Sequence, residues 1–178
     1  MNGNSMKKIA YANAVADDKV RRFVPPVRVV RESAGVSDSA ALLDGVHTQS
    51  FVHFNPRECV LPPGGEIILD FGLELHGLLT VTTGCMKLSR ARITFGESVS
   101  ETLGTPTQDH AIHQELLSLP QLGQVNFGQT AFRFVRLEIP ADAPEVRLIG
   151  VVATAIYRDW EYLSLIHISE PTRPISIS

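Results

Sequence analysis

Two glutamates are the side chains whose type and spacing come nearest to acid–base chemistry in this 178-residue chain. Glu97 and Glu101 follow an alternating apolar segment and are separated by three residues. Cleavage of a glycosidic bond needs two carboxyl groups that face one bond, one as acid and one as base. No second motif supports catalysis, so we favour a structural interpretation in which Glu97 accepts backbone N–H groups and Glu101 is solvated. The sequence therefore predicts no catalytic residue.

A second group, formed by Asp109, His110 and His113, has a spacing that a metal ion could use. The spacing is loose, and histidines that bond to the backbone in a loop or core are more common. Cys59 and Cys85 form neither a CxxC motif nor a zinc spacing, and two cysteines cannot build a disulfide framework. We therefore expect no metal and no cofactor.

The composition excludes several classes of partner. Sixteen basic and nineteen acidic residues give a net charge of −3, which is too near balance for nucleic acid or an anionic membrane. With 44% hydrophobic and 20% charged residues, the chain is typical of a globular protein. The apolar stretch within residues 6–16 is interrupted by Tyr11 and Asn13, so it is not a secretory signal. Together with the cysteine usage, this predicts a cytoplasmic protein.

Glycine and proline divide the chain into short apolar pieces that are typical of strands. Residues 90–95 alternate, with Ala91, Ile93 and Phe95 on one face. Residues 66–71 and 78–83 read as strands joined by a sheet corner or hairpin loop, and residues 146–157 read as the middle of a sheet. Only residues 37–43 are expected to form a helix. The fold prediction is all-β, an antiparallel β-sandwich of jelly-roll type.

The aromatic residues indicate a core more than a binding surface. In residues 132–139 the apolar pattern changes face once, which predicts a β-bulge or a strand that is covered on both sides. Phe71, Phe95, Phe132 and Phe134 alternate as core residues do. Trp160 is the best candidate for a sugar-stacking platform, yet its position near the end of the predicted domain favours packing against a further domain.

The last residues lack this β-strand rhythm. Residues 163–173 match the in-frame translation of a transposase adapter used in sequencing libraries, and a natural apolar tail is the alternative. We expect three segments: a partly flexible leader at 1–22, a β-sandwich accessory domain at 23–162, and an artefact tail at 163–178. The biological chain would then be a fragment that is interrupted near Tyr162.

Five blocks in this order resemble the N-terminal β-sandwich region of bacterial α-L-rhamnosidases of glycoside hydrolase family 78: residues 69–77, 92–101, 109–112, 132–136 and 156–159. The resemblance implies a non-catalytic domain that supports and docks onto an (α/α)6 catalytic barrel, in which two carboxylates hydrolyse the sugar with inversion. No such barrel is present in this sequence. The resemblance therefore implies a fragment without hydrolase activity, with its own barrel and a rhamnose-containing glycoside as partners. An independent carbohydrate-binding module and a plain structural or oligomerisation sandwich stay open as alternatives.

The long polar loop 96–114 is the strongest candidate for a functional surface, because long loops in compact sandwiches are commonly functional. With residues 158–160 it is predicted to form the docking face for the barrel and to border the substrate cleft. The candidate residues are Glu97, Glu101, Asp109, His110, Arg158 and Trp160.

Overall fold

A computed structural model describes residues 19–43, 57–104 and 113–158, and these form eight strands and two short helices. The strands are β1 (Lys19–Val24), β2 (Arg28–Glu32), β3 (Cys59–Leu61), β4 (Glu66–Thr83), β5 (Ser89–Gly96), β6 (Gln114–Leu119), β7 (Gln124–Glu138) and β8 (Val146–Arg158). The helices are a 3-10 helix (Ser39–Leu43) and α1 (Val99–Leu103). Most of the described residues lie in one compact unit, Arg21–Ile156. Of the other unit, only the strand ends at 19–20 and 157–158 are described.

The strands follow the order β1-β8-β4-β7-β5-β6, with β2 also paired to β4 and β3 to β8. The two long strands, β4 and β7, change neighbours along their length. The first half of β4 lies between β2 and β7, and its second half lies between β7 and β8. All the registers along these strands are antiparallel. One layer therefore contains β2, β4, β7, β5 and β6, and the other contains β7, β4 and β8, flanked by β1 and β3.

The passage of β4 from one layer to the other occurs at an irregular segment, residues 71–74. Between Asp70 and Leu75, β4 advances five residues while β7 advances only two. Gly72 has φ +82°, a left-handed conformation that glycine adopts without strain. Extra residues on one strand bend it and increase its twist. We call residues 71–74 the corner segment; the sequence predicted a corner or a hairpin loop, and the structure shows a corner within one strand.

The two layers enclose a single apolar core. Ile67 and Leu69 from the first layer and Leu79 and Val81 from the second are fully buried in the same cluster. At the corner, the buried rings of Phe71, Phe95 and Phe132 join this cluster, with Phe132 edge-on to Phe71 at 5.6 Å and 4.8 Å from Phe95. Complete burial of each such side chain contributes about 1.5–3 kcal/mol. The predicted antiparallel β-sandwich is confirmed, and its jelly-roll connectivity stays a prediction.

Several local predictions are also confirmed. Ala91, Ile93 and Phe95 are buried on β5, and β8 lies inside the sheet, with β4 as one neighbour and with both β1 and β3 paired to it. The change of face in β7 occurs between Phe132 and Val135, which are both in the core although they are three residues apart. This slip lies opposite the corner segment, where the strands leave one layer for the other.

The strand β1 begins at Lys19, within the segment 1–22, and residues 1–18 lie outside the described residues, so the leader stays a prediction. One prediction needs correction. The helix α1 lies in the loop 96–114, where no helix was expected. Its start is fixed by Ser98, whose hydroxyl accepts the N–H of Glu101. The Ser-x-x-Glu pattern is a known helix-start signature, so the signal was present in the sequence. No helix in the described ranges is long and apolar enough to cross a membrane.

Candidate functional site

The two glutamates singled out by the sequence lie at the start of α1 and have the opposite roles to those expected. Glu101, and not Glu97, accepts a backbone bond: its Oε2 lies 2.8 Å from the N–H of Glu97. The side chain of Glu97 is exposed. The correction follows from the helix: Glu101 lies in its first turn, and its carboxylate reaches back to the N–H just before the Ser98 cap, much as in a capping box. The pair is therefore a helix cap beside a solvated carboxylate.

The helix α1 lies directly against the end of β5. A Cβ at Gly96 would be 2.8 Å from the carbonyl oxygen of Ser98 and 3.0 Å from Thr102 Cγ2. Thr102 is fully buried, and its hydroxyl donates to the carbonyl of Val99 at 2.7 Å. Only glycine allows this close approach of helix and strand. Leu103, by contrast, remains 40% exposed at the end of the helix.

The other predicted site residues are placed less completely. Asp109, His110 and Trp160 lie outside the described residues, and Arg158 is described only as the last residue of β8. The ring of His113 packs against the rings of Phe95 and Phe127, with centroids 5.2 Å from each. It is therefore part of the aromatic packing around Phe95. No group of three or more His, Cys, Asp or Glu side chains in ranges 19–43, 57–104 and 113–158 could hold a metal ion.

Both cysteines are buried free thiols. Burial raises the pKa of Cys59 to about 12, and the carboxylates of Glu32 and Asp38 add to this effect. Burial also raises the pKa of Cys85, whose Sγ lies 3.3 Å from the backbone nitrogen of Arg147. A thiol is nucleophilic as its thiolate, so neither cysteine is suited to nucleophilic chemistry.

The structure reveals a polar group that sequence reasoning missed, on the outer face of the first layer. Asp70, at the end of the first half of β4, is only 2% exposed and is paired in register with Phe134 of β7, which is paired in turn with Gly96 of β5. Arg28 donates from Nη2 to Asp70 Oδ2 at 2.8 Å. Arg133 donates from Nε to Oδ1 at 2.9 Å and from Nη2 to Oδ2 at 3.2 Å.

Backbone geometry completes the shell around this carboxylate. The N–H of Gly72 donates to Asp70 Oδ1 at 2.8 Å, which the left-handed glycine makes possible. The guanidinium carbon of Arg133 lies 5.0 Å from the ring centroid of Phe134, within the range of a cation–π contact. We call Asp70, Arg28, Arg133 and Phe134 the Asp70 cluster.

The electrostatics of the cluster favour the ionised carboxylate. The hydrogen bond from Arg133 is the main reason that the pKa of Asp70 falls to about 2, and the Gly72 N–H and Arg28 act in the same direction. Burial opposes the shift because it penalises the charged form. Asp70 reciprocally raises the pKa of Arg133. The cluster thus holds one carboxylate and two guanidinium groups, with a net charge of +1.

A second charged group crosses the same face from β2 to β5. Glu66 contacts Arg31 at 3.1 Å and Arg136 at 2.6 Å, Arg136 reaches Glu138 at 3.0 Å, and Glu138 reaches Arg92 at 2.8 Å. We call these five residues the arginine ladder. Its positive and negative charges alternate across four strands, so each carboxylate lies between two guanidinium groups.

The Asp70 cluster was missed because its members are distant in sequence. Arg28 and Arg133 lie 42 and 63 residues from Asp70. The sequence placed Asp70 near the end of the predicted strand 66–71 and Gly72 in the corner or loop that follows it. That placement is correct. However, no local sequence pattern indicates which arginines the fold will bring beside a given strand.

Comparison with known proteins shows the fold. No family model and no curated protein matches this chain. Among solved structures, a rhamnosidase from Klebsiella oxytoca with rhamnose bound is similar, with a TM-score of 0.54, 22% identity, and coverage of 85% of this chain and 32% of that one. The chain thus spans about a third of the length of that rhamnosidase.

Two further structures share the fold. The CBM32 of AlyQ, in complex with 4,5-unsaturated mannuronic acid, has a TM-score of 0.51, 13% identity, and coverage of 74% of this chain and 97% of that one. A truncated AlyQ with CBM32 and alginate lyase domains has a TM-score of 0.52, 13% identity, and coverage of 78% and 34%. At these identities the likeness establishes the β-sandwich fold.

Proposed function

We propose that this chain is a non-catalytic accessory β-sandwich of an α-L-rhamnosidase-like glycoside hydrolase, which supports and docks onto an (α/α)6 catalytic barrel. The observation that carries the proposal is the fold match, which takes in 85% of this chain but only 32% of a rhamnosidase. The five sequence blocks that resemble glycoside hydrolase family 78 support the same assignment. The rest of such an enzyme would supply the catalytic carboxylates.

The carboxylates of the Asp70 cluster, the arginine ladder and the start of α1 are consistent with a supporting role. A general acid needs a raised pKa, whereas the pKa of Asp70 is lowered to about 2. Glu66 is held by two arginines, and Glu101 is bound to the backbone. These groups stabilise the sheet and the helix. They do not form a pair of carboxyl groups that faces one glycosidic bond.

The docking face is proposed to include α1 and the loop that follows it. Exposed Glu97, just before the Ser98 cap, and exposed Leu103, at the end of the helix, present a charged and an apolar group beside the end of β5. Asp109, His110, Arg158 and Trp160 belong to the same proposed face, and residues 163–178 are proposed to be an adapter-derived tail. Domain interfaces commonly combine such polar and apolar contacts.

An activity assay tests the non-catalytic assignment. The 178-residue chain is incubated with 4-nitrophenyl α-L-rhamnopyranoside, beside an intact rhamnosidase as a positive control. We expect nitrophenol release no faster than in buffer alone. Release that scales with the concentration of this chain would contradict the proposal.

The coding DNA beyond codon 162 tests the accessory role. We expect a longer reading frame with the helical periodicity of a barrel, and a genuine stop after codon 178 would contradict it. In that longer protein, Glu97→Ala and Asp109→Ala are expected to lower activity or the melting temperature. The matched control is Glu115→Ala, because Glu115 is also exposed but lies on β6. Equal behaviour of all three variants would remove the docking face from the proposal.

An independent carbohydrate-binding module is the second candidate. It is favoured by one observation: the fold match spans 97% of the CBM32 chain, which is a complete binding domain by itself. Titration of this chain with rhamnose and methyl α-L-rhamnoside, followed by NMR, separates the two. Saturable binding supports the module, whereas unchanged spectra support the accessory domain.

A further inference from the structure

The two arginines of the Asp70 cluster are held close together at the protein surface. Both donate from Nη2 to the same Asp70 Oδ2, so these two nitrogens are no more than about 6 Å apart. Their side chains are 62% and 40% exposed, while that of Asp70 is 3% exposed. A buried carboxylate thus fixes two guanidinium groups whose outer edges face solvent.

Most of the donors of these arginines are unused within the described part of the chain. A guanidinium has five N–H groups. Asp70 accepts one from Arg28 and two from Arg133. The remaining N–H groups have no acceptor among residues 19–43, 57–104 and 113–158. They are therefore available to an external oxyanion.

The Asp70 cluster also carries one more positive charge than is needed to neutralise Asp70. Arg133 binds Asp70 through two parallel bonds, and the Gly72 N–H adds a third. One guanidinium already neutralises the carboxylate, so Arg28 leaves a positive charge at the surface of a chain with a net charge of −3. The low pKa of Asp70 keeps the anchor ionised and hence keeps both arginines in place. Fixed guanidinium groups suit planar recognition of a carboxylate or phosphate.

We propose that Arg28 and Arg133 form a binding subsite for the carboxylate of an acidic saccharide, with Asp70 as the positioning residue. The choice of a saccharide rests on the second candidate under the proposed function, the carbohydrate-binding module, while the choice of an oxyanion rests on the two arginines. Val27, which is 60% exposed, lies over Gly72, where a Cβ would be 3.1 Å from Val27 Cγ2. Its exposed methyl groups offer an apolar contact for the C–H face of a sugar ring beside Arg28.

Titration of the full chain with three probes tests the ligand class. Methyl β-D-glucuronide carries the carboxylate, methyl β-D-glucoside is its neutral match, and inorganic phosphate is an oxyanion without a sugar. We expect saturable millimolar binding of the glucuronide by NMR, no saturable binding of the glucoside, and phosphate binding weaker by about fivefold or more. Absence of glucuronide binding overturns the subsite, and phosphate binding of equal strength overturns its assignment to a saccharide.

Variants of the two arginines, with one control, test where the glucuronide binds. Arg28→Gln and Arg133→Gln are each expected to weaken glucuronide binding by about tenfold, because each removes a charged donor. Arg31→Gln is the matched control and should change it by less than about twofold, since Arg31 is also an exposed residue of β2 paired with a carboxylate of β4. An equal loss in Arg31→Gln, or no loss in the two cluster variants, overturns the proposal.

A conservative variant separates a loss of binding from a loss of folding. Arg133→Lys keeps the charge beside Asp70 but loses the planar fork, so the chain should keep its melting temperature within a few degrees and bind the glucuronide about fivefold more weakly. Unchanged binding in this variant contradicts a bidentate site. The outcome is independent of the rhamnoside assays: the enzyme proposal fails on nitrophenol release or on the coding sequence, and the subsite fails on glucuronide binding.

Discussion

The Asp70 cluster and the arginine ladder lie on the same outer face of one sheet layer and use the same two chemical groups, but they differ in burial. The side chain of Asp70 is 3% exposed, against 12% for Glu66 and 27% for Glu138. Asp70 serves two guanidinium groups and a backbone N–H at the corner of the sheet. In the ladder, positive and negative charges alternate across four strands, and each carboxylate is shared by two arginines.

Burial decides how much each group contributes to stability. Removing water from a carboxylate is costly, so a buried ion needs all its hydrogen bonds, and breaking one leaves the group without a substitute. Exposed ion pairs exchange their partners for water at little cost, typically 0–1 kcal/mol. The corner is therefore expected to depend on its ion cluster more than the sheet depends on the ladder, whose outer members Arg31 and Arg92 are 55% and 39% exposed. Variants at equivalent positions of the two groups test this difference.

The largest effect is expected for Asp70→Asn. The amide keeps the shape of the side chain but loses the charge that binds Arg28 and Arg133, and an NH2 donor that faces guanidinium groups replaces one acceptor oxygen. We expect the free energy of unfolding to fall by about 2–3 kcal/mol, measured by urea denaturation.

The matched variant in the ladder is Glu66→Gln. It also removes a carboxylate of β4 that is shared by two arginines, but the site is nearer to solvent. We expect a loss of about 1 kcal/mol. Equal losses at Asp70 and Glu66 would show that burial does not distinguish the two groups.

Acid denaturation provides a second test of the buried carboxylate. The pKa of Asp70 is about 2 in the folded chain and has an ordinary value of 3.8. Since the folded value is lower, the unfolded chain takes up the proton first as the pH falls, and the stabilisation present above pH 4 is lost towards pH 2. This contribution is about 2 kcal/mol. Unfolding of Asp70→Asn, measured from pH 5 to pH 2, should be less pH-dependent by that amount.

If the wild-type chain and Asp70→Asn lose stability in parallel over this range, Asp70 does not titrate as the geometry requires. Other carboxylates contribute equally to both proteins, so they cancel in the comparison.

The sequence predicted the parts of this architecture that depend on local pattern. Alternation placed Ala91, Ile93 and Phe95 on the buried face of β5, and the break between the predicted strands 66–71 and 78–83 indicated a corner. The Asp70 cluster depends instead on strand register, because it joins residues from three strands. A pattern of apolar residues determines which face is inward but leaves the partner of each outward residue undetermined. The exchanged roles of Glu97 and Glu101 have a different, local cause: no helix was expected after β5, although the Ser98-x-x-Glu101 pattern indicates one.

The next largest effect is expected at the glycine of the corner. Gly72→Ala adds a Cβ to a residue at φ +82° and places it 3.1 Å from Val27 Cγ2, so we expect a loss of about 1–2 kcal/mol, measured by thermal unfolding. Gly64→Ala is the matched control, because Gly64 has φ +74° with nothing within 4 Å of the added atom. It should lose about 1 kcal/mol from backbone strain alone. A larger loss at Gly64 would contradict the importance of close packing at the corner.

The smallest effects concern the two exposed arginines of β2. Arg28→Gln removes one of two guanidinium groups from Asp70, which keeps Arg133 and the Gly72 N–H, and Arg31→Gln removes one of two from Glu66, which keeps Arg136. Both side chains are more than half exposed, so we expect losses of about 1 kcal/mol for Arg28→Gln and about 0.5 kcal/mol or less for Arg31→Gln in urea denaturation. The order follows from the deeper burial of Asp70. A loss of 2 kcal/mol or more in Arg28→Gln would mean that Arg28 is needed to keep the sheet corner folded, and its exposed donors would then be a by-product of a structural ion pair.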